Sequence, residues 1–116
     1  MKNWLQLREQ VLARCEGYCE KCGSGLPESF ALHHRKLKSR GGKDSVENLI
    51  ALHHACHNMG KKAIHFYPEE AERTGHIVAG HADPLECPLT LANGSIVILT
   101  PEGNYHYLER KEDYGW

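Results

Sequence analysis

The side chains best suited to chemistry in this sequence are histidines that recur at short spacings. His33 and His34 stand side by side, Asn48 follows fourteen residues after His34, and His57 follows nine residues after Asn48. Hydrolysis of a phosphodiester bond needs a base that activates water and positive charge that stabilises the phosphoryl and leaving oxygens. Histidine suits the first task because its pKa lies near neutral pH, and it also binds divalent metals. The set therefore predicts metal-dependent phosphodiester chemistry.

A second group of metal-binding residues surrounds the first. Cys19 and Cys22 form a C-x-x-C pair, and His53 and Cys56 repeat that spacing after a long loop. Zinc takes four ligands, and two short pairs separated by a loop are a common way to supply them. Five cysteines without an export signal disfavour a disulfide framework. We predict a structural zinc ion, with His54 as a rival to His53 for the fourth position.

The composition is that of one ordinary folded domain. The chain has 116 residues, of which 41% are hydrophobic and 25% are charged, and this disfavours wholesale disorder. No apolar run approaches the roughly 20 residues of a membrane span, and the first residues lack the apolar stretch of a signal peptide. We therefore expect a single cytoplasmic domain, spanning residues 1–116, that does not act in a membrane.

The charges are distributed unevenly along the chain. Residues 33–62 carry seven basic and two acidic side chains, a net charge of +5, whereas residues 63–116 carry three basic and nine acidic ones, a net charge of −6. A basic segment on a nearly neutral chain favours an anionic partner that binds at one place. The same segment contains the paired histidines, which favours phosphate contact over a merely solvated loop.

Apolar spacing and turn residues predict a mixed order of helices and strands. Asn3 is a suitable N-cap for a first helix whose apolar stripe includes Cys15, so Cys15 is assigned to the core and not to a metal site. The predicted elements are a helix over about 4–15, strands at 29–33 and 49–52, a helix from about 53 that carries Cys56 and His57, a helix over 68–73, and a hairpin of 95–100 with 105–108.

The span from Cys19 to His57 resembles the HNH endonucleases, the ββα-metal nucleases, in their zinc-stabilised form and of the small phage or mobile-element type. The resemblance implies an α+β fold with a ββα-metal core, a zinc knuckle, an N-terminal helix and a C-terminal β-hairpin. The knuckle and core would occupy about residues 15–65, and a helix and hairpin extension would occupy residues 66–116. The protein would act in a bacterial host or a phage-infected cell.

The resemblance also implies a role for each histidine. His34 would be the general base, His33 and His57 would bind the catalytic metal, and Asn48 would fix the loop and thereby hold His34 in its productive tautomer. Some family members carry another histidine four residues after the equivalent of His57, but this chain has lysine there. The third metal ligand is therefore left open between His65 and water.

The implied partner is DNA, bound mostly through its backbone by basic side chains of the loop after the histidine pair. The candidate contacts are Arg35, Lys36, Lys38 and Arg40. The implied cofactors are structural Zn²⁺ and one catalytic divalent ion, with Mg²⁺, Mn²⁺, Ni²⁺ and Zn²⁺ all open. Nicking against double-strand cutting, a homodimer, and DNA against structured RNA also stay open. Two alternatives are a zinc-stabilised nucleic-acid-binding module and an accessory subunit of a phage packaging machine that cuts only in complex.

Overall fold

The chain opens with a helix that covers one side of the central strands. In the computed structural model, which describes residues 2–60 and 63–111, helix α1 spans Trp4–Cys15, as predicted. The side chain of Asn3 accepts a hydrogen bond from Gln6 N at 2.9 Å, and the Gln6 side chain accepts one from Asn3 N at 3.0 Å. This reciprocal cap satisfies two amide groups that the helix leaves unpaired. Cys15 is buried on the apolar stripe, so its assignment to the core is confirmed.

Two short antiparallel strands present the paired histidines. β1 spans Ala31–His34 and β2 spans Leu49–Leu52, with His33 opposite Ile50 in the pairing register. β2 has the predicted bounds, whereas β1 starts two residues later than predicted and ends one residue later. All of β2 is buried, and its alternate residues belong to two separate apolar clusters, one packed on α1 and the other on the C-terminal half. The histidine pair therefore lies on a strand whose pairing partner is fully buried.

A short π-helical turn follows β2, where the sequence predicted the start of an α-helix. The segment Ala55–Met59 is π-helical, and Gly60 N donates to Ala55 O at 2.9 Å. A Cβ atom on Gly60 would lie 2.5 Å from that same carbonyl oxygen, so a larger residue would displace the turn. As predicted, this segment carries Cys56 and His57. The α-helix expected of a ββα unit is thus a wider π-helical turn of five residues.

The C-terminal half adds a helix and a three-stranded sheet. Helix α2 spans Pro68–Thr74 and ends at Gly75 in the left-handed conformation, close to its predicted bounds. The sheet contains β3 (Leu89–Thr90), β4 (Ile96–Leu99) and β5 (Tyr105–Glu109), paired antiparallel in that order. The predicted hairpin of β4 and β5 is confirmed, while β3 was not predicted. The fold is therefore α+β. In the described part of the chain, no helix has the length and apolar character needed to cross a membrane.

A buried ion pair connects these parts. Both oxygens of the Glu20 carboxylate are bonded by the Arg14 guanidinium, at 2.8 and 3.0 Å. The same carboxylate accepts hydrogen bonds from Ala51 N at 2.9 Å and from the Tyr105 hydroxyl at 2.6 Å. α1, the knuckle, β2 and β5 thus meet at one carboxylate. A fully satisfied buried network of this kind favours a single arrangement of the elements it joins.

Candidate metal centres and active site

The predicted zinc ligands lie together where the knuckle meets the π-helical segment. They are Cys19, Cys22, His53 and Cys56. Their ligand atoms all lie within 4.8 Å of one another, and three thiols with one imidazole are a normal donor set for tetrahedral zinc. His54 takes another direction, since its Nε2 lies 3.1 Å from Ser29 Oγ. The group could therefore hold zinc, and the geometry selects His53 over His54.

Hydrogen bonds around this cluster favour the metal-binding forms of two of its residues, His53 and Cys22. His53 Nε2 donates to Gly25 O at 2.9 Å, which leaves Nδ1 as the ligand atom, 3.3 Å from Cys22 Sγ. Burial opposes ionisation of Cys22, but hydrogen bonds from Ser24, Cys19 and Cys56 together outweigh burial and lower the pKa of this thiol to about 6. Burial and the neighbouring Cys19 raise the pKa of Cys56 to about 12. A divalent cation would displace the thiol protons that remain, so binding would favour high pH.

Three histidines from three different segments form a second cluster. His33 comes from β1, His57 from the π-helical segment, and His65 from a turn of 3₁₀-helix, Ile64–Phe66. One nitrogen of each lies within 4.8 Å of the others, and Nε2 of His57 is 3.0 Å from Nε2 of His65. The third position, left open between His65 and water, is thus reached by His65. Position 61, where some family members have a histidine, lies outside the described residues.

The environment favours the neutral imidazole, which is the form that binds metal, at His33 and at His57. His33 is buried, and its Nε2 donates to His76 O at 2.9 Å, which leaves Nδ1 as the ligand atom. Burial, with His57 nearby, lowers the pKa of His33 to about 3. Burial and His65 also lower the pKa of His57. Three imidazoles suit Zn²⁺ or Ni²⁺ better than Mg²⁺, and three protein ligands leave coordination positions for water or substrate.

His34 follows His33 on β1 and has different neighbours. Its Nε2 lies 2.7 Å from Asp44 Oδ1, and the Trp4 ring stacks on its face with 5.8 Å between ring centres and 26° between planes. The hydrogen bond from His34, together with the charge of Lys38, lowers the pKa of Asp44, so this carboxylate is ionised at neutral pH. His34 is thus a partly exposed imidazole next in sequence to His33, which could bind a metal, and an imidazole nitrogen can accept a proton from water.

Asn48 holds the loop that connects β1 to β2. Its side-chain oxygen accepts from Lys36 N at 2.7 Å, and its side-chain nitrogen donates to Lys36 O and Lys43 O at 3.0 Å each. Its own carbonyl accepts from Arg35 N at 2.8 Å. Asn48 is buried, so these bonds are protected from water. Asn48 therefore lies where it can fix the loop, although its side-chain bonds go to Lys36 and Lys43 and the contact with His34 is made by Asp44.

Arg35 does not lie where the sequence analysis placed it. The prediction assigned it to a DNA phosphate, but its relative exposure is 0%. Its guanidinium donates to the carbonyl oxygens of Gly75, Glu47 and Cys87 at 2.8, 2.9 and 2.7 Å. These contacts contradict the predicted role, because donors already bonded inside the protein cannot reach a phosphate. Arg35 instead fastens the end of β1 to the C-terminal half.

The other three basic residues lie closer to solvent. Lys36 is half-buried and donates to Ala82 O at 3.0 Å. The Lys38 side chain is 66% exposed and 3.5 Å from Asp44, and Arg40 is exposed and 3.9 Å from Glu72. Exposed ion pairs of this length are weak, so Lys38 and Arg40 could exchange their acidic neighbours for a phosphate.

Sequence reasoning did not single out two residues that contact His34. Asp44 is one of two acids in the basic segment and follows Gly41-Gly42-Lys43, and its isolation there was a signal that could have marked it. Trp4 lies on α1, thirty residues before His34, and no spacing rule connects the two.

One α+β unit thus carries two clusters of residues that could hold metal ions and, beside one of them, the partly exposed imidazole of His34. Residues 19–62 match the family model of the HNH endonucleases. This segment is therefore similar to an HNH endonuclease domain, which indicates nuclease-type activity in general. Comparisons with curated proteins and with solved structures gave no match.

Proposed function

We propose that this protein is a metal-dependent endonuclease that hydrolyses phosphodiester bonds of DNA. The observation that carries the proposal is the histidine cluster of His33, His57 and His65, with His34 adjacent on the same strand. Together they provide a place for one divalent ion and a base beside it. A protein that only binds nucleic acid needs neither. The chain's one departure from the family that favoured a binding module was the missing histidine at position 61, and His65 now lies in that cluster.

In the proposed reaction each side chain has a limited task. A divalent ion held by the three imidazoles would supply positive charge to the phosphoryl and leaving oxygens. His34 accepts a proton from the attacking water at the ring nitrogen that Asp44 does not contact. His33 is kept in place by the His76 carbonyl, and Asn48 keeps the loop closed behind the pair. The three-imidazole donor set favours Zn²⁺, Ni²⁺ or another transition ion over Mg²⁺.

The direct test uses supercoiled plasmid with purified wild type and His34→Ala, in added divalent metal and in chelator. We expect metal-dependent relaxation by the wild type. His34→Ala should lower the rate by about 10²- to 10⁴-fold, the usual contribution of a general base, with unchanged zinc content and melting temperature. His106→Ala serves as the matched control, because His106 is exposed on β5.

Each remaining outcome changes the proposal. A folded, zinc-loaded wild type that cuts nothing under any metal would point to a binding module or to a subunit that cuts only with a partner. Equal cleavage by wild type and His34→Ala would mean that His34 is not the base. Cleavage of structured RNA but not of DNA would keep the mechanism and change the substrate.

Contact with the DNA backbone is proposed for Lys38 and Arg40. We expect Lys38→Ala to weaken binding to a DNA duplex and to reduce the slope of log K against log salt by about one, as for loss of one phosphate contact. Zinc content should not change. Lys111→Ala is the control, since Lys111 is also an exposed lysine but lies outside the loop. An unchanged salt slope in Lys38→Ala would remove this residue from the interface.

A further inference from the structure

The loop between β1 and β2 folds back on the end of β1, where its residue Asp44 contacts His34. We infer that Asp44 is a positioning residue that acts through His34, holding the ring in one tautomer and one orientation. The inference rests on the proposed function, because it assigns His34 the role of base. The contact that carries it is the 2.7 Å distance from His34 Nε2 to Asp44 Oδ1.

The tautomer follows from the chemistry of the two groups. An ionised carboxylate only accepts hydrogen bonds, so a neutral His34 must carry its proton on Nε2 to make this contact. Nδ1 is then the unprotonated nitrogen and the one that can take a proton from water. Without Asp44 the ring could carry its proton on either nitrogen, and part of the population could not act as a base.

The loop geometry explains how Asp44 is delivered. Asn48 binds the backbone at both ends of the loop, at Lys36 and at Lys43, and Lys43 is the residue directly before Asp44. Gly42 completes the closure, because its N donates to Leu37 O at 2.9 Å and a Cβ there would lie 1.8 Å from Lys36 O. Asn48 therefore acts on His34 indirectly. It fixes the backbone next to Asp44, and Asp44 in turn bonds His34.

Trp4 restricts the same ring from its face. Its indole stacks on His34 at 5.8 Å and is 46% exposed, so it covers one side of the imidazole while leaving a path from solvent. A ring bonded at Nε2 and stacked on one face has little freedom to flip. The proton-accepting nitrogen is then presented in a fixed direction, which matters because proton transfer requires hydrogen-bond distance and alignment.

The test reads the tautomer directly and does not depend on cleavage. Zinc-loaded protein labelled with ¹⁵N at histidine is studied by long-range ¹H–¹⁵N spectroscopy, at a pH above which the His34 signals no longer change. The His34 signals are those lost in His34→Ala. We expect the wild type to show an Nε2–H ring. Asp44→Ala should shift the signals towards a mixture of tautomers, while the control Glu86→Ala, which removes another exposed carboxylate, should not.

Kinetics provide the second measurement. We expect Asp44→Ala to lower kcat for plasmid cleavage about 10-fold or more, but less than His34→Ala does, with little change in KM. In the His34→Ala background, Asp44→Ala should cause no further loss, since its effect passes through that ring. Asp44→Asn keeps the side-chain size if alanine loosens the loop. Its amide can donate as well as accept, so the preference for Nε2–H should again be lost.

The failure of this inference differs from failure of the proposed function. A wild-type ring in the Nε2–H form that stays so in both Asp44 variants would overturn the positioning role, even if the protein cuts DNA. Equal losses from Asp44→Ala with and without His34 would also overturn it, because the residue would then act elsewhere. A tautomer that shifts as expected in a protein that cuts nothing would support the positioning role and reject autonomous cleavage.

Discussion

The two metal-ligand clusters share a segment and differ in almost everything else. Cys56 and His57 are neighbours on the π-helical turn, yet Cys56 belongs to the cysteine-rich cluster and His57 to the histidine cluster. The first cluster has four ligands, three of them thiols, and joins two parts of the chain 31 residues apart from Cys22 to His53. The second has three imidazoles. Four protein ligands close a tetrahedral site, whereas three leave it open to substrate.

The comparison separates what is common to metal sites from what decides their use. In both clusters a histidine donates from Nε2 to a backbone carbonyl, His53 to Gly25 and His33 to His76. That arrangement fixes the tautomer of a metal ligand whatever the metal does next. Ligand number and softness differ, and these predict a structural ion at the first cluster and a reactive one at the second.

We expect the largest effect from removing one ligand of the four-residue cluster of Cys19, Cys22, His53 and Cys56. Cys19→Ser should abolish stoichiometric zinc and unfold the protein, because a structural zinc ion contributes about 10–16 kcal/mol in zinc-finger peptides and this exceeds or matches the stability of most domains. Metal analysis and thermal unfolding by circular dichroism measure both quantities. Cys87→Ser is the control, since Cys87 lies outside the cluster. A zinc-free Cys19→Ser with the wild-type melting temperature would contradict the structural role.

Loss of one ligand from the open site should affect metal binding and not folding. His65→Ala should weaken binding of a second divalent ion to the zinc-loaded protein, measured by calorimetry with Ni²⁺. Cleavage at low metal should fall about 100-fold, the upper end of the usual effect of losing an outer hydrogen bond to a ligand, because His65 would be a direct ligand. The melting temperature should change little because His65 is exposed. If His65→Ala binds Ni²⁺ as tightly as the wild type does, water takes the third position instead.

The smallest effect expected comes from exchanging one zinc ligand for another. His53→Cys should keep one equivalent of zinc and change the melting temperature by only a few degrees, since four cysteines are also a common structural set. His54→Ala, the matched variant at the rival position, should leave zinc content unchanged because His54 contacts Ser29 and not the cluster. Loss of zinc from His54→Ala alone would reverse the assignment of the fourth ligand.

The sequence predicted the features that depend on short spacings. The C-x-x-C pair, the bounds of α1 and β2, and the C-terminal hairpin follow from local periodicity and from ligand spacing that only certain chemistries need. His65 was named as a candidate third ligand because residues 63–68 resemble the end of the motif in small phage-type members of the family. Each of these features involves residues close together in the chain, so a short stretch of sequence is enough to predict it.

The contacts that the sequence analysis missed connect distant residues. Arg35 was assigned to DNA because it stands in a basic run, but it bonds Cys87 across 52 positions. Charge alone cannot tell a lysine in solvent from an arginine whose partners are backbone carbonyls. The π-helical turn is local and was missed for another reason, since its i to i+5 bond depends on the closing contact at Gly60 and not on apolar spacing.

The bonds of the Glu20 carboxylate decide whether residues 19–62, the segment that matches the HNH family, can fold outside this protein. A fragment limited to residues 19–62 would keep most residues of both clusters, but it would lose Arg14 and Tyr105, two of the three partners of the Glu20 carboxylate. Removing one partner of a buried charge costs about 3–5 kcal/mol, which a segment of this size could not tolerate. Recombination or design that transplants the nuclease motif must therefore carry its flanking helix and last strand as well.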